Sequence, residues 1–111
     1  RYALAATGNT TDGWFGGGYD PSVGFTSTVD RITYATDTAT ASVRGPLSSA
    51  KRYLAASGSL TDAWFGGGYN SSFQVVSTTD RITYATDTAT ASVRGPLSLA
   101  RQALASASGI Q

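Results

Sequence analysis

Carboxylates and guanidinium groups are the side chains of this chain that could do chemistry, and they recur at a spacing of fifty residues. Paired carboxylates can act as general acid and base in glycoside hydrolysis. A catalytic pair serves one site, however, whereas these charges return in each half of the chain. We therefore expect structural roles for all of them: Asp12, Asp30, Arg31, Asp37 and Arg44, and then Asp62, Asp80, Arg81, Asp87 and Arg94.

The position of each charge suggests what that structural role is. Asp37 lies between two threonines in Thr36-Asp37-Thr38, which is typical of a turn, and Asp87 repeats this pattern. Arg31 and Arg44 are expected to bridge carboxylates or to cap carbonyl groups where neighbouring units meet.

The chain contains neither histidine nor cysteine. It therefore lacks imidazole bases, thiolate nucleophiles, disulfides and nearly every kind of transition-metal site. No Asp-x-Asp-x-Asp-Gly calcium loop is present either. We expect no enzymatic activity, no metal and no cofactor.

A glycine-rich segment follows the first aromatic pair, in the order Trp14, Phe15, Gly16, Gly17, Gly18. It lacks the Gly-Lys-Ser/Thr end of a phosphate-binding loop. We expect these glycines, with Gly66 and Gly67 in the second half, to allow close packing between sheets or a bulge. Trp14 and Phe15 should point to opposite faces of a strand and wedge between units, as should Trp64. A sugar-stacking platform is the alternative.

These features belong to a tandem repeat. Residues 1–50 and 51–100 are identical at 35 of 50 aligned positions without a gap. A fixed period of about 20–50 residues marks solenoids, propellers and arrays. We divide the chain into a first unit (1–50), a second unit (51–100) and the beginning of a third (101–111).

Each unit contains four short segments with strand character. In the first unit they cover residues 2–7, 13–17, 28–35 and 38–43, with period-two alternation and turn residues between them. Four short strands in about fifty residues, repeated, predict an all-β fold made of four-stranded antiparallel β-propeller blades. A β-solenoid is the alternative, although its coils are usually shorter.

The order of motifs resembles the kelch repeat. The matching segments are the strand that ends in glycines at residues 14–19, VDRITYATDTAT from Val29, and the RGPLSSAK link from Arg44. The resemblance covers the whole unit twice, and similar kelch-type repeats occur in phage and other virion proteins. One departure is that Ala39 or Thr40 stands where kelch repeats carry an aromatic residue on the outer strand. The resemblance implies a closed propeller built from more blades than these two.

The two units differ mainly in the loop after the glycines and in the first turn. Loops on a fixed scaffold commonly carry binding specificity. In kelch-like propellers this loop shares a face with the link between blades, and partners commonly bind there. The resemblance therefore implies four aromatic residues as partner contacts: Tyr19, Phe25, Tyr69 and Phe73. Neutral drift in these loops is the alternative.

Charge is sparse and balanced, with eight basic and seven acidic residues. A nucleic-acid partner calls for a clustered basic face, and no apolar run approaches the length of a membrane span. We expect a non-enzymatic binding or structural propeller on a virion or cell surface, presenting loops to a protein or glycan. The alternatives are the propeller of a galactose-oxidase-like enzyme, whose catalytic residues would lie outside this chain, and an engineered repeat protein.

Two blades cannot close a ring, and they would leave apolar sheet faces uncovered. Further blades of the same chain or identical subunits are therefore expected partners. Arg101 to Ala105 matches the start of the second unit. This surplus segment favours a piece of a longer chain over a ring of identical two-blade chains.

Overall fold

The computed structural model of the chain describes residues 1–104. This part is all-β, with 42% strand, and its only helical turns are two short 3-10 turns, Tyr34–Thr36 and Tyr84–Thr86. Among the described residues, no helix has the length and apolar character that a membrane crossing requires.

Twelve strands form two larger and two smaller antiparallel sheets. The first unit contains β1 (Ala5–Gly8), β2 (Asp12–Gly16), β3 (Tyr19–Asp20), β4 (Gly24–Phe25), β5 (Val29–Thr33) and β6 (Ser42–Arg44). The second contains β7 (Lys51–Arg52), β8 (Ala55–Gly58), β9 (Asp62–Gly66), β10 (Tyr69–Asn70), β11 (Thr79–Thr83) and β12 (Ser92–Arg94). The first sheet has the order β1-β2-β5-β6, and the second sheet repeats it as β8-β9-β11-β12. The prediction of four-stranded antiparallel sheets is confirmed.

The smaller sheets lie at the ends of the glycine segments. Strand β3 pairs with β4 within the first loop, whereas β10 pairs with β7, the link between the two units. The loop after the glycines and the link thus lie side by side. This arrangement positions the candidate site described below.

Local polar contacts fix the tight turn between the first two strands. The side-chain oxygen of Asn9 accepts hydrogen bonds from the backbone N–H groups of Thr11 and Asp12, each 2.9 Å long. Ser59 fills the same place in the second unit and accepts from Thr61 and Asp62 at 3.2 Å. The turn therefore keeps its geometry although the residue differs.

The strands differ from the sequence prediction by more than one residue at three places. The first strand begins at Ala5 instead of residue 2, because Ala3 has a left-handed backbone (φ 59°) that breaks the extended run. The third strand ends at Thr33, where the 3-10 turn starts. The predicted fourth strand is wrong over residues 38–41: the chain turns there, with the Ala39 N–H bonded to the Thr36 carbonyl, and the strand begins at Ser42.

Alternation along the strands gives each sheet two distinct faces. The face that carries Trp14 in the first sheet and Trp64 in the second is called the Trp face, and the opposite one, with Phe15 or Phe65, the Phe face. Strand pairing places Thr7, Arg31 and Thr33 with Trp14, and Ala6, Asp30 and Ile32 with Phe15. Successive residues of a strand point to opposite sides, so this division follows from the register.

The core lies between the Trp face of the first sheet and the Phe face of the second. Trp14 is 1% exposed and Phe65 is fully buried. A Cβ atom at Gly16 would come 2.9 Å from the Phe65 ring, so glycine is needed for the two sheets to approach this closely. Burial of two large aromatic side chains contributes several kcal/mol, at about 25 cal/mol per Å² of apolar surface.

Candidate functional site

Asp87 joins the two sheets through its carboxylate, which is almost completely buried. One oxygen, Oδ1, accepts two hydrogen bonds from Arg44, at 3.0 Å from Nε and 2.7 Å from Nη2. The other, Oδ2, accepts from Trp14 Nε1 at 2.9 Å and from Arg31 Nη1 at 3.2 Å. All three donors belong to the first unit and the acceptor to the second. We call this arrangement the Asp87 clamp.

The Asp87 clamp favours the ionised carboxylate. Burial of Asp87 opposes ionisation, but the hydrogen bonds from Arg44 and Trp14 and the charges of Arg44 and Arg31 outweigh it. The pKa of Asp87 therefore lies below its ordinary value. Such a group stabilises the contact between sheets and has no proton to exchange near neutral pH.

A second buried charge pair lies where the link enters the second unit. Lys51 and Asp80 are both fully buried, with Nζ and Oδ2 3.8 Å apart. Asp80 also accepts hydrogen bonds from Ser48, at 2.6 Å from the hydroxyl and 3.2 Å from the backbone. Burial lowers the pKa of Lys51, and the negative charge of Asp80 partly opposes this shift. At the start of the first unit, Arg1 pairs with Asp30, the equivalent of Asp80, and both side chains of this pair are partly exposed.

The four aromatic residues predicted as partner contacts form one cluster. Phe25 packs on Tyr19, Tyr69 and Phe73, with ring centroids 5.5, 6.1 and 6.1 Å away. Tyr69 and Phe73 are 6.2 Å apart. The pairing of β3 with β4 and of β10 with β7 brings these rings together from both units. We call them the aromatic cluster.

The guanidinium group of Arg52 lies in the middle of the aromatic cluster. Its Cζ atom is 4.9 Å from the ring centroid of Tyr19, 5.1 Å from Phe25 and 5.8 Å from Tyr69. The ring of Tyr53 adds a fourth face at 5.0 Å. Contacts of this kind stabilise a cation by about 0.5–2 kcal/mol each. Arg52 forms no ion pair with residues 1–104, and its buried Nε has no hydrogen-bond partner there.

Two residues at the rim have unusual backbone conformations. Phe73 (φ 60°) and Tyr53 (φ 58°) occupy the left-handed region, which costs a bulky residue about 1 kcal/mol or more. Phe73 is also 71% exposed. An exposed aromatic side chain held at a strained position is a feature that packing alone does not account for.

Arg52 and Tyr53 were not singled out from the sequence. Both stand where the units differ, since the first unit has Tyr2 and Ala3 at these positions. Only the pairing of Arg52 with Tyr69 brings the guanidinium to the rings. The difference between the units at these two positions could have indicated Arg52 and Tyr53. It did not indicate which loop the link between the units approaches.

The other predicted residues differ in whether they contact the neighbouring sheet or link. Trp14, Arg31, Arg44 and Asp87 meet in the Asp87 clamp, and Asp30 and Asp80 hold Arg1 and Lys51. Gly17 and Gly67 have positive φ angles, 72° and 68°, beside the backbone carbonyls of Lys51 and Arg101. The remaining predicted residues make no such contact with the other sheet within residues 1–104. They lie on the side of their own sheet that the other sheet does not cover: Asp37, Trp64, Gly66, Arg81 and Arg94.

Most of residues 101–111, predicted as the first strand of a further unit, lies outside the described residues. Within residues 101–104, the Arg101 carbonyl accepts a hydrogen bond from Gly68 at 2.9 Å, as the Lys51 carbonyl does from Gly18 at 2.8 Å. Ala103 repeats the left-handed backbone of Ala3, with φ 55°. The described start of this segment thus follows the path of the link between the first two units.

Among residues 1–104, no group of three or more Asp, Glu, His or Cys side chains converges as metal ligands would. The aromatic cluster offers ring faces and one cation without a carboxylate partner, which suits a ligand that combines an apolar surface with oxygen acceptors. No protein-family model matches the chain, and no curated protein matches it.

Proposed function

We propose that this chain consists of kelch-like β-propeller blades that act as a non-enzymatic binding module on a virion or cell surface. The observation that supports this proposal is the aromatic cluster around Arg52. Its rings come from both units, on the loops where the repeats differ. A partner bound there would contact a surface that neither unit forms alone.

The partner that suits this surface is a glycan or a protein segment with acceptor oxygens. The exposed rings of Phe73 and Tyr53 offer faces for stacking against the apolar side of a sugar or against a peptide side chain. The guanidinium of Arg52 can donate to hydroxyl or carboxylate oxygens, since no carboxylate of residues 1–104 occupies it. Blades of a propeller supply a rigid support for such loops.

The binding surface can be tested with labelled protein on a glycan array and on whole cells. We expect Phe73→Ala to reduce binding at least about ten-fold, since an anchoring aromatic residue contributes about 2 kcal/mol or more. The matched control is Val23→Ala, because Val23 occupies the equivalent position of the first unit, is 76% exposed and lies outside the cluster. Both side chains are exposed, so neither change should affect folding.

The result that contradicts the proposal is equally direct. If the protein binds neither glycans nor cells, or if binding survives both Phe73→Ala and Phe25→Ala, the aromatic cluster is not a recognition surface. Equal loss in Phe73→Ala and Val23→Ala would also count against it, because the effect would then not be specific to the cluster.

A further inference from the structure

The contact between the two sheets joins a Trp face to a Phe face. The other Phe face and the other Trp face are not part of this contact. The Trp face of the first sheet packs on the Phe face of the second. Among residues 1–104, no other sheet covers the Phe face of the first sheet, where Phe15 is 36% exposed, or the Trp face of the second sheet. We call these two the open faces. Because the two units share 35 of 50 residues, the open faces present nearly the same side chains as the faces that pack. Contacts of this head-to-tail kind build rings or filaments when they repeat.

The polar groups of the Asp87 clamp are also duplicated, and within residues 1–104 the acceptor of the second set does not contact its donors. Asp37 is exposed and has no hydrogen bond or ion pair with residues 1–104, whereas its equivalent Asp87 accepts four hydrogen bonds. On the open Trp face the three equivalent donors are Trp64, Arg81 and Arg94. Arg94 is exposed and forms no ion pair within the described chain. Arg81 Nε has no hydrogen bond there, and its nearest carboxylate oxygen, on Asp62, is 3.9 Å away.

Backbone hydrogen bonds add a defined register to the contact between the sheets. The Gly45 N–H donates to the Asp87 carbonyl, and the Ala91 N–H donates to the Pro46 carbonyl, both at 2.8 Å. A Cβ atom at Gly45 would fall on the Ala89 carbonyl, so this glycine is buried against the backbone of the second unit. Gly95, its equivalent, is exposed and has open space where a Cβ atom would lie. The open Trp face thus ends in an unpaired copy of the same backbone contact.

We propose that a second copy of this chain docks its first unit on the open Trp face of the second sheet. Asp37 of the docking copy then lies among Trp64, Arg81 and Arg94, as Asp87 lies among Trp14, Arg31 and Arg44. The Gly95 N–H donates to the carbonyl of the incoming Asp37, and the incoming Ala41 N–H donates to the Pro96 carbonyl. Charge complementarity and continuity with the contact inside the chain both favour a first unit as the occupant, and in solutions of this chain a second copy supplies it.

Residues 101–104 exclude the first residues of the docking copy from the second sheet. They already occupy the place on the second sheet that Arg1 to Leu4 of a docking copy would take, with Ala103 N–H bonded to the Tyr53 carbonyl at 2.7 Å. None of the three clamp donors on the open Trp face forms a hydrogen bond with these residues. The first residues of the docking copy are therefore displaced from this place.

The test uses two full-length variants, each of which disables one end. Asp37→Lys reverses the charge of the acceptor, and Gly95→Val places a side chain where the backbone of the docking copy must lie. Both positions are exposed in the chain, so both variants should fold, which circular dichroism verifies. The masses of each protein and of their equimolar mixture are measured by sedimentation equilibrium over a range of concentrations.

We expect the mass of the unmodified chain to rise above 11.4 kDa with concentration. Each variant alone should remain at that mass, with its self-association weakened at least about ten-fold. The mixture should form a complex of twice the chain mass that grows no further, because one intact donor end meets one intact acceptor end. This outcome is specific to a head-to-tail contact, since a symmetric contact would be lost or kept equally in both variants and their mixture.

Three results would overturn the inference: an unmodified chain that stays at 11.4 kDa up to millimolar concentration, variants that associate as well as the unmodified chain, or a mixture that stays at the mass of one chain. The inference does not rest on the proposed binding function. Phe73→Ala should change glycan or cell binding without changing the mass measured by sedimentation equilibrium. Gly95→Val should change that mass and leave the aromatic cluster intact. The two proposals can therefore fail separately.

Discussion

The indole Nε1 of Trp14 donates a 2.9 Å hydrogen bond to Asp87, 73 residues further along the chain. This bond joins the first unit to the second at the centre of their contact. The same two residue types also stand at Trp64 and Asp37, where no such bond exists in residues 1–104. The chain therefore supplies its own matched controls, because each residue of the Asp87 clamp has an equivalent position at which the same residue type lies outside the contact between the sheets.

Asp87→Asn should destabilise the protein, whereas Asp37→Asn should not. The change at Asp87 removes the charge that holds Arg31 and Arg44, and hydrogen bonds to charged groups contribute about 1.5–3 kcal/mol. We expect a loss of about 2 kcal/mol in the free energy of unfolding measured with urea. Asp37→Asn, at the exposed equivalent, should stay within about 0.5 kcal/mol at concentrations that keep the chain monomeric. Equal effects of the two changes would refute the assignment of the clamp to Asp87.

Stability should fall at acidic pH in a manner that depends on Asp87. Its pKa is lowered in the folded protein and returns to the ordinary value on unfolding. The contribution is thus fully present above the unfolded pKa of about 3.9 and is lost as pH falls through the folded pKa. Urea unfolding measured from pH 7 to pH 2 should show a shallower decline for Asp87→Asn than for the unmodified chain.

The decline in stability should be smaller in Asp87→Asn but should not disappear, because three further carboxyl groups have lowered pKa values. One of them is Asp20, which accepts hydrogen bonds from Ser22. Asp12 accepts hydrogen bonds from Thr33 and Thr11, and Asp62 accepts them from Thr61 and Thr83. Identical pH profiles for the variant and the unmodified protein would exclude Asp87 as a source of the acid sensitivity.

The two tryptophans should differ in their contribution to stability. Trp14→Ala removes a buried ring that stacks on Tyr84 with centroids 4.0 Å apart, and a buried tryptophan replaced by alanine costs about 3–5 kcal/mol. Trp64→Ala, on the open Trp face, should cost about 1 kcal/mol in the monomer, within the usual range for single changes. Thermal and urea unfolding at low protein concentration compare them directly. A Trp64 effect as large as that of Trp14 would show that the open face is covered in solution even at that concentration.

The contributions of Lys51 and Asp80 to the free energy of unfolding should depend on one another. Lys51→Met leaves the buried carboxylate of Asp80 without its cation, and loss of one partner of a buried pair costs about 3–5 kcal/mol. Lys51→Arg should cost much less, since Arg1 contacts the equivalent carboxylate and backbone carbonyl in the first unit. Urea unfolding of both variants and of Asp80→Asn with Lys51→Met measures the coupling. If the double change is as damaging as the sum of its single changes, the two residues do not act as a pair.

Much of the fold could be predicted because the relevant patterns are local. The alternation at Trp14 and Phe15 and the turn residues around Asn9 act within a few positions, so they indicate strands and turns directly. The prediction failed at residues 38–41, where alternation of alanine and threonine resembles a strand. The chain turns there in both units, with the Ala39 N–H bonded to the Thr36 carbonyl and the Ala89 N–H to the Thr86 carbonyl, each at 3.1 Å, so a local turn outweighs the alternation.

The candidate site was predicted only in part. The resemblance to kelch repeats, applied to the variable loop after the glycines, indicated Tyr19, Phe25, Tyr69 and Phe73 as candidates, and the structure brings these rings together. Arg52 was missed because its role depends on the pairing of β7 with β10, two segments separated by sixteen residues and by a complete hairpin. Asp87 was predicted to lie in a turn, and it does. Its carboxylate, however, accepts hydrogen bonds from the first sheet, for example from Arg44, 43 residues earlier in the chain.

By itself the sequence determined the period, the four strands of each unit and the two unlike faces of each sheet, because these follow from residue types and alternation along short segments. Only the tertiary structure decided which member of each repeated pair is buried. Trp14 and Trp64, or Asp37 and Asp87, have nearly the same local sequence, so no local pattern can distinguish them. Their environments differ because, within residues 1–104, the two sheets share a single contact that contains one Trp face and one Phe face and does not include the other two faces.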